Sequence, residues 1–437
     1  MSISEKEYRR RRRQLMRMVG DGNIAVIASA EVSNRNNDVE YPFRQDSDFY
    51  YLTGFSEAES LVVFIPGREQ GEYILFCREF DETMALWTGE HAGLEGAKQT
   101  YGADDAFPID DIDDILPGML ENRERIFYPM GRNQNLDQHL LDWVNQLRGR
   151  IRSGSHCPIE IVSLEHVLHD MRLYKSASEI KLMKKASKVS AGAHKRAMRM
   201  IQPGMYEYQI EAEITHEFMR NGLRNLAYPS IVAGGKNACV LHYTDNSAIL
   251  GEGDLILIDA GAEYQNYASD ITRTFPVSGT FSSAQRLIYE WVLKAQLAAI
   301  EKVRPGNHWN DPHDEAVKVL TTGLVELGLL TGQVEQLIED EEYKKFYMHR
   351  TGHWLGMDVH DVGDYKVDGK WRLLEPGMVL TVEPGLYIPV SCTDVEKRWR
   401  GIGIRIEDDV VVTKQGYEVL SSTVPKTVSD IERLMAN

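Results

Sequence analysis

Two stretches of the chain align without a gap: Gly253-Asp-Leu-Ile-Leu-Ile-Asp-Ala-Gly261 and Gly377-Met-Val-Leu-Thr-Val-Glu-Pro-Gly385. Each is a glycine, an apolar run of strand length, a carboxylate and a second glycine. Their offset is 124 residues, close to half of the 262 residues from 176 to 437. Each run follows two helical patterns, at 177–200 and 207–221 before the first and at 283–303 and 311–327 before the second. The first helix begins near Ser176 and stops at Pro203-Gly204. This repetition predicts a pseudo-twofold α/β domain over residues 174–437, with two related halves facing one another.

Residues 1–173 carry a different pattern. Short apolar runs at 24–30, 60–65 and 73–77 read as strands between turn-rich and helical stretches, so a separate mixed α/β domain is expected there. At about 150 residues per domain, 437 residues predict two or three domains, and the two patterns narrow that to two. With 43% hydrophobic and 26% charged residues, the chain can bury a sizeable core. Its 49 basic and 66 acidic side chains leave a net charge of −17, which argues against nucleic-acid and membrane-surface partners. The five-arginine run at 9–13 is expected to be a solvated helix face. No secretory signal or membrane-spanning run is visible. The four cysteines, at 77, 157, 239 and 392, are scattered, form no CxxC pair, and are expected to be small buried residues of a cytoplasmic protein.

The chemistry sits at the ends of the repeated strands. Asp259 ends the first, and Asp270 follows in Tyr267-Ala-Ser-Asp-Ile-Thr-Arg-Thr-Phe275, close enough for the two to meet across a hairpin. The second half supplies Glu383 and, in Gly401-Ile-Gly-Ile-Arg-Ile-Glu407, a fourth acid. In that last strand three isoleucines face one way, while Gly403, Arg405 and Glu407 face the other, a pattern expected to leave space beside a charged pair. Arg405 is placed to orient Glu407. Four converging carboxylates cannot all stay ionised without cations, and two divalent ions match their charge. His353 is the candidate imidazole ligand, in Thr351-Gly-His-Trp-Leu-Gly-Met-Asp-Val-His-Asp-Val-Gly363, with His242, His349 and His360 in similar turn-rich contexts. Oxygen ligands with one imidazole favour manganese, with zinc, cobalt or iron as alternatives. Such a site points to metal-assisted hydrolysis.

Asp259, Asp270, His353, Glu383 and Glu407 resemble, in order and context, the five metal ligands of the pita-bread metallopeptidases, which include methionine aminopeptidase, prolidase and aminopeptidase P. Further similarity to the aminopeptidase P branch lies in Tyr41-Pro-Phe-Arg-Gln-Asp-Ser-Asp-Phe-Tyr-Tyr-Leu-Thr-Gly-Phe55, Leu241-His-Tyr-Thr244, residues 353–363 and Glu383-Pro-Gly-Leu-Tyr387. The resemblance implies a creatinase-type N-terminal domain and hydrolysis of the N-terminal Xaa-Pro bond of peptides by a hydroxide bridging two metals. It implies that Asp259 chelates one metal, His353 and Glu383 hold the other, and Asp270 and Glu407 bridge them. Glu383 would also transfer the proton. His360 and His242 would bind substrate and stabilise the transition state, and His349 would line the proline pocket. Arg405 would pair with Tyr387 and Asp38, and Trp87 would be donated by a neighbouring subunit of a homotetramer. The same ligands also suit prolidase, which cleaves Xaa-Pro dipeptides, and a non-catalytic peptide-binding relative is the reading from another class.

Overall fold

The structure, a computed structural model, describes residues 2–436. It divides into two compact units, Ile3–Arg172 and the chain from Leu173 onward.

The N-terminal unit is built on one six-stranded mixed sheet in the order Asp105–Pro108, Tyr73–Cys77, Leu61–Phe64, Ile24–Ala28, Arg125–Phe127, Glu160–Val162. Its strands are short, the three apolar ones Tyr73–Cys77, Leu61–Phe64 and Ile24–Ala28 are buried on both faces, and they pack against Leu140, Trp143 and Leu147 of the amphipathic helix Gln134–Arg148. The arginine run does lie on a helix, Glu5–Val19, but only partly in solvent. Arg11 and Arg12 are buried, and their guanidinium groups donate to the carbonyls of Tyr51 and Leu52. Those carbonyls belong to the last turn of helix Ser47–Thr53, where the helix's own N–H groups have run out. Two of the five arginines are therefore helix caps.

In the second unit, helix Ala177–Met200 opens with a reciprocal box between Ser176 and Glu179, and helix Ser283–Ile300 with the same box between Ser282 and Gln285. Helices Glu207–Arg220 and Asp311–Glu326 follow, one in each half. In the first half, Leu255–Asp259 runs antiparallel between Ile231–Gly234 and Thr272–Pro276. In the second, Val379–Val382 pairs with Asp408–Thr413, which pairs in turn with Gly416–Val419. The pseudo-twofold repetition is thus real, with one departure. On its other side Val379–Val382 has no full strand. Instead it makes a single bridge, Trp354 to Leu380, flanked by bonds from Leu355 N to Val379 O and from Thr381 N to His353 O. Glycine-rich chain around His353 replaces a strand there, and Gly352 is required because a Cβ would lie 2.0 Å from the Thr381 carbonyl oxygen.

Each half also returns by the same route. After its carboxylate, each strand leaves the sheet for a short hairpin, Ala262–Tyr264 with Tyr267–Ala268 or Gly385–Ile388 with Ile402–Arg405. The chain then re-enters the sheet beside its point of departure, Asp259 opposite Thr272 and Val382 opposite Asp408. A second carboxylate, Asp270 or Glu407, stands just before each return strand.

Candidate metal centre and peptide cavity

These two re-entries place the four acids around one cavity of about 770 Å³. It is lined by Asp259, Asp270, His353, Glu383 and Glu407, and also by His242, His349, His360 and Arg405. Tyr228 lies between the first pair, its hydroxyl 2.6 Å from Asp259 Oδ1 and 2.5 Å from Asp270 Oδ1. His353 Nε2 lies 3.3 Å from Asp270 Oδ2 and 3.5 Å from Glu383 Oε1. Its Nδ1 is 2.9 Å from its neighbour's carbonyl, Trp354 O, which fixes Nδ1 as the protonated nitrogen and aims Nε2 at the acids. One ligand atom from each of Asp270, His353 and Glu407 falls within 4.8 Å of the others. Thr381 donates to Glu383 Oε1 at 3.1 Å, and Thr272 donates to Glu407 Oε2 at 2.5 Å.

Charge is crowded here. Burial, together with Asp270 and Glu383, drives the Glu407 carboxyl well above its ordinary range. Burial also raises Asp259, against the pull of Arg405, and pushes Glu383 up to about 7 against His353. Burial alone would keep His353 neutral, but Asp270 and Glu383 push it up to about 9. The acid excess thus takes up protons when no other cation answers it. Oxygen donors with one imidazole of fixed tautomer form a set that divalent ions fit.

Arg405 does not bond Glu407 directly. Its Nη2 donates to Asp259 Oδ2 at 2.6 Å and its Nη1 to the Tyr387 hydroxyl at 3.1 Å. It reaches Glu407 only through Thr272, whose Oγ1 accepts from Arg405 Nε at 3.2 Å. Nor does Gly403 open space: a Cβ there would lie 2.2 Å from Ala238 O, so the glycine admits a neighbouring backbone. His349 Nε2 lies 2.8 Å from the Tyr387 hydroxyl, and the rings of His353 and His360 stand edge to face at 4.4 Å. Burial lowers both His349, to about 4, and His360. Asp38 and Trp87 belong to the N-terminal unit, where both are exposed, Asp38 in the turn between Asn34–Asn36 and Val39–Glu40, and Trp87 on helix Glu82–Thr88. Of the cysteines only Cys77 is buried; Cys157, Cys239 and Cys392 are partly exposed, and all four are free. No helix among the described residues is long and apolar enough to cross a membrane.

Tyr228, Thr272 and Thr381 escaped the sequence reading. Tyr228 stands in Asn225-Leu-Ala-Tyr-Pro229, outside both repeated stretches, and no spacing marks it. Beneath the acids lies a second buried group: Arg273 donates to Asp408 Oδ1 at 2.7 Å and also to the Glu407 carbonyl. The only sequence signal for it was its place just after Asp270 and Glu407, in the return strands.

Residues 181–414 match the model of metallopeptidase family M24, and residues 8–128 match that of the aminopeptidase P N-terminal domain. The Xaa-Pro aminopeptidase of Haemophilus influenzae is 43% identical over 433 residues, covering 99% of this chain and 98% of its own. Among solved structures, the aminopeptidase PepP of Pseudomonas aeruginosa is 58% identical with a TM-score of 0.99, covering 100% of this chain and 98% of that one. Aminopeptidase P from Escherichia coli with the inhibitor Pro-Leu is 43% identical with a TM-score of 0.97, covering 100% and 99%.

Proposed function

Because the chain belongs to metallopeptidase family M24 and is a hydrolase that uses divalent metal ions, we propose that it removes the first residue from peptides whose second residue is proline. The observation that carries this reading is the convergence of four acids and four histidines on one cavity of about 770 Å³. Proline lacks an amide N–H and fixes φ, so a peptidase for it must grip by shape and by the carbonyl rather than by a strand ladder. The N-terminal domain family and the near full-length similarity to relatives bearing the Xaa-Pro aminopeptidase name support the aminopeptidase over prolidase.

Two ions, of which manganese suits this donor set best, would be held by Asp259, Asp270, His353, Glu383 and Glu407. When bound, they supply Lewis acidity that makes water nucleophilic at neutral pH and polarises the scissile carbonyl. Glu383, at the cavity wall beside His353, takes a proton from water and passes it to the leaving proline nitrogen. His242 and His360 bind the peptide and steady the developing oxyanion. His349 is held neutral and bonded to Tyr387, so it presents a firm wall to the proline ring. Arg405 and Tyr387, bonded to one another, complete the substrate-side set of the cavity, and Trp87 would come from a neighbouring copy.

A homotetramer is part of the reading. Helix Glu82–Thr88 buries none of its residues, and Leu86 and Trp87 are 87% and 82% exposed. Bare apolar side chains of this kind are what an interface with another copy would cover. The free cysteines support a cytoplasmic setting. The test is incubation of manganese-loaded protein with Xaa-Pro-Yaa and with Xaa-Pro. Release of the first residue from the tripeptide is expected, and cleavage of the dipeptide alone would replace this reading with prolidase.

A further inference from the structure

His242 sits on a loop, residues 235–249, that leaves the sheet at Gly234 and returns toward Leu250. Such a loop has no ladder of its own to fix it. Its anchor is Glu207, the first residue of helix Glu207–Arg220, which is fully buried (0% exposed). The Glu207 carboxylate is met by four donors. Oε1 accepts from Gly234 N at 2.7 Å and Asn237 Nδ2 at 3.1 Å; Oε2 accepts from the Tyr243 hydroxyl at 2.7 Å and Ala248 N at 2.8 Å. The Glu207 N–H also donates to Ala248 O at 3.0 Å. All four donors to the carboxylate come from the loop and its foot, none from the helix it begins. Tyr243 directly follows His242, so one of the bonds grips the chain next to the imidazole. Further along, Asn246 ties the loop to the same helix, donating to Glu211 Oε2 at 3.0 Å.

A carboxylate that only served its helix would sit at the surface and accept from the first-turn N–H groups. This one is desolvated, and its lone pairs are filled by groups at both feet and the middle of the His242 loop. We infer that Glu207 is a positioning residue for the reaction, its four bonds holding the loop so that His242 stays at the cavity wall. The inference rests on the substrate-side role of His242 in the proposed function.

The experiment is a double-mutant cycle on full-length, manganese-loaded protein with an Xaa-Pro-Yaa tripeptide. The variants are Glu207→Gln, which sets an amide against two donors, Tyr243→Phe, which deletes one hydroxyl, His242→Ala, and each of the first two combined with His242→Ala. Glu207→Gln is expected to lower kcat about 10- to 100-fold, the scale of an ångström-level displacement, with metal content unchanged. Tyr243→Phe is expected to lower it less. In the His242→Ala background neither change should slow the enzyme further, because they act through the missing imidazole. An equal slowing in both backgrounds would overturn the inference, as would full kcat in both single variants. If Glu207→Gln does not fold, the Tyr243→Phe cycle decides alone by the same criterion. Failure of the proposed function would look different: wild-type protein would leave the tripeptide intact.

Discussion

Arg405 and Asp259 form a buried ion pair, Nη2 to Oδ2 at 2.6 Å, in which the arginine's other terminal nitrogen bonds the Tyr387 hydroxyl. Tyr387 bonds His349 in turn. A single guanidinium therefore links a carboxylate of the candidate metal centre to the imidazole proposed to face proline. The fork geometry matters, because a lysine ammonium cannot serve Asp259, Thr272 and Tyr387 at once. Arg405→Lys is expected to keep the fold, lower kcat/KM about 10- to 100-fold and weaken metal binding. Steady-state kinetics with metal titration checks this; unchanged metal affinity would show that the Asp259 bond is idle.

Metal content should separate the acids from the histidines. Asp270 and Glu407 meet His353 within 4.8 Å, so Asp270→Ala or Glu407→Ala is expected to lose metal together with activity. His360 bears on His353 only by ring contact at 4.4 Å, so His360→Ala should retain metal and lose turnover. Elemental analysis after reconstitution and desalting gives the readout. Equal metal loss in His360→Ala would move that residue into the ligand set.

The repeated strands, their carboxylates and the helix before each half were legible because a period of 124 residues exposes them without any knowledge of contacts. Helix 177–200 was readable near both ends, since a serine cap and a Pro-Gly stop are local signals. The failures share the opposite property. Arg11 and Arg12 look like any solvated arginine until helix Ser47–Thr53 brings its open carbonyls to them. Arg405 shares a strand face with Glu407, yet its nearest carboxylate partner is Asp259, 146 residues away. Gly403 read as a gap because alternation shows which way a residue points and not what lies there.

That glycine yields a further prediction. Ala238 O occupies the position a Gly403 Cβ would need, 2.2 Å away, and Ala238 lies in the turn Gly235–Cys239 that leads to His242. Gly403→Ala is expected to push that turn outward, at a cost of about 1–3 kcal/mol in stability. Activity should fall further than the loss of folded protein explains. Thermal unfolding measured beside kcat checks the expectation, and a stability loss with normal kcat in the folded fraction would refute it.

In the N-terminal unit, Asp48 Oδ1 accepts from Arg172 Nη1 at 2.6 Å, and His169 Nε2 lies 3.5 Å from its other oxygen. Burial opposes ionisation of this carboxyl, but Arg172 and His169 outweigh it and hold the group well below the usual carboxylate range. A carboxyl whose pKa is depressed on folding stabilises the protein fully above its unfolded value, about 3.9. That stability fades as pH falls through the lower folded value. Acid unfolding of the wild type should therefore steepen below about pH 4, where the unfolded chain binds a proton at Asp48 that the folded protein resists. Asp48→Asn removes a close counter-charge from the buried Arg172 and is expected to cost about 3–5 kcal/mol at neutral pH. Because the neutral amide has no proton to gain, the difference between variant and wild type should shrink as pH falls below about 4, the unfolded value. Unfolding midpoints of both proteins, followed from pH 7 downward, measure that difference, and a gap constant with pH would assign the loss to packing rather than to charge.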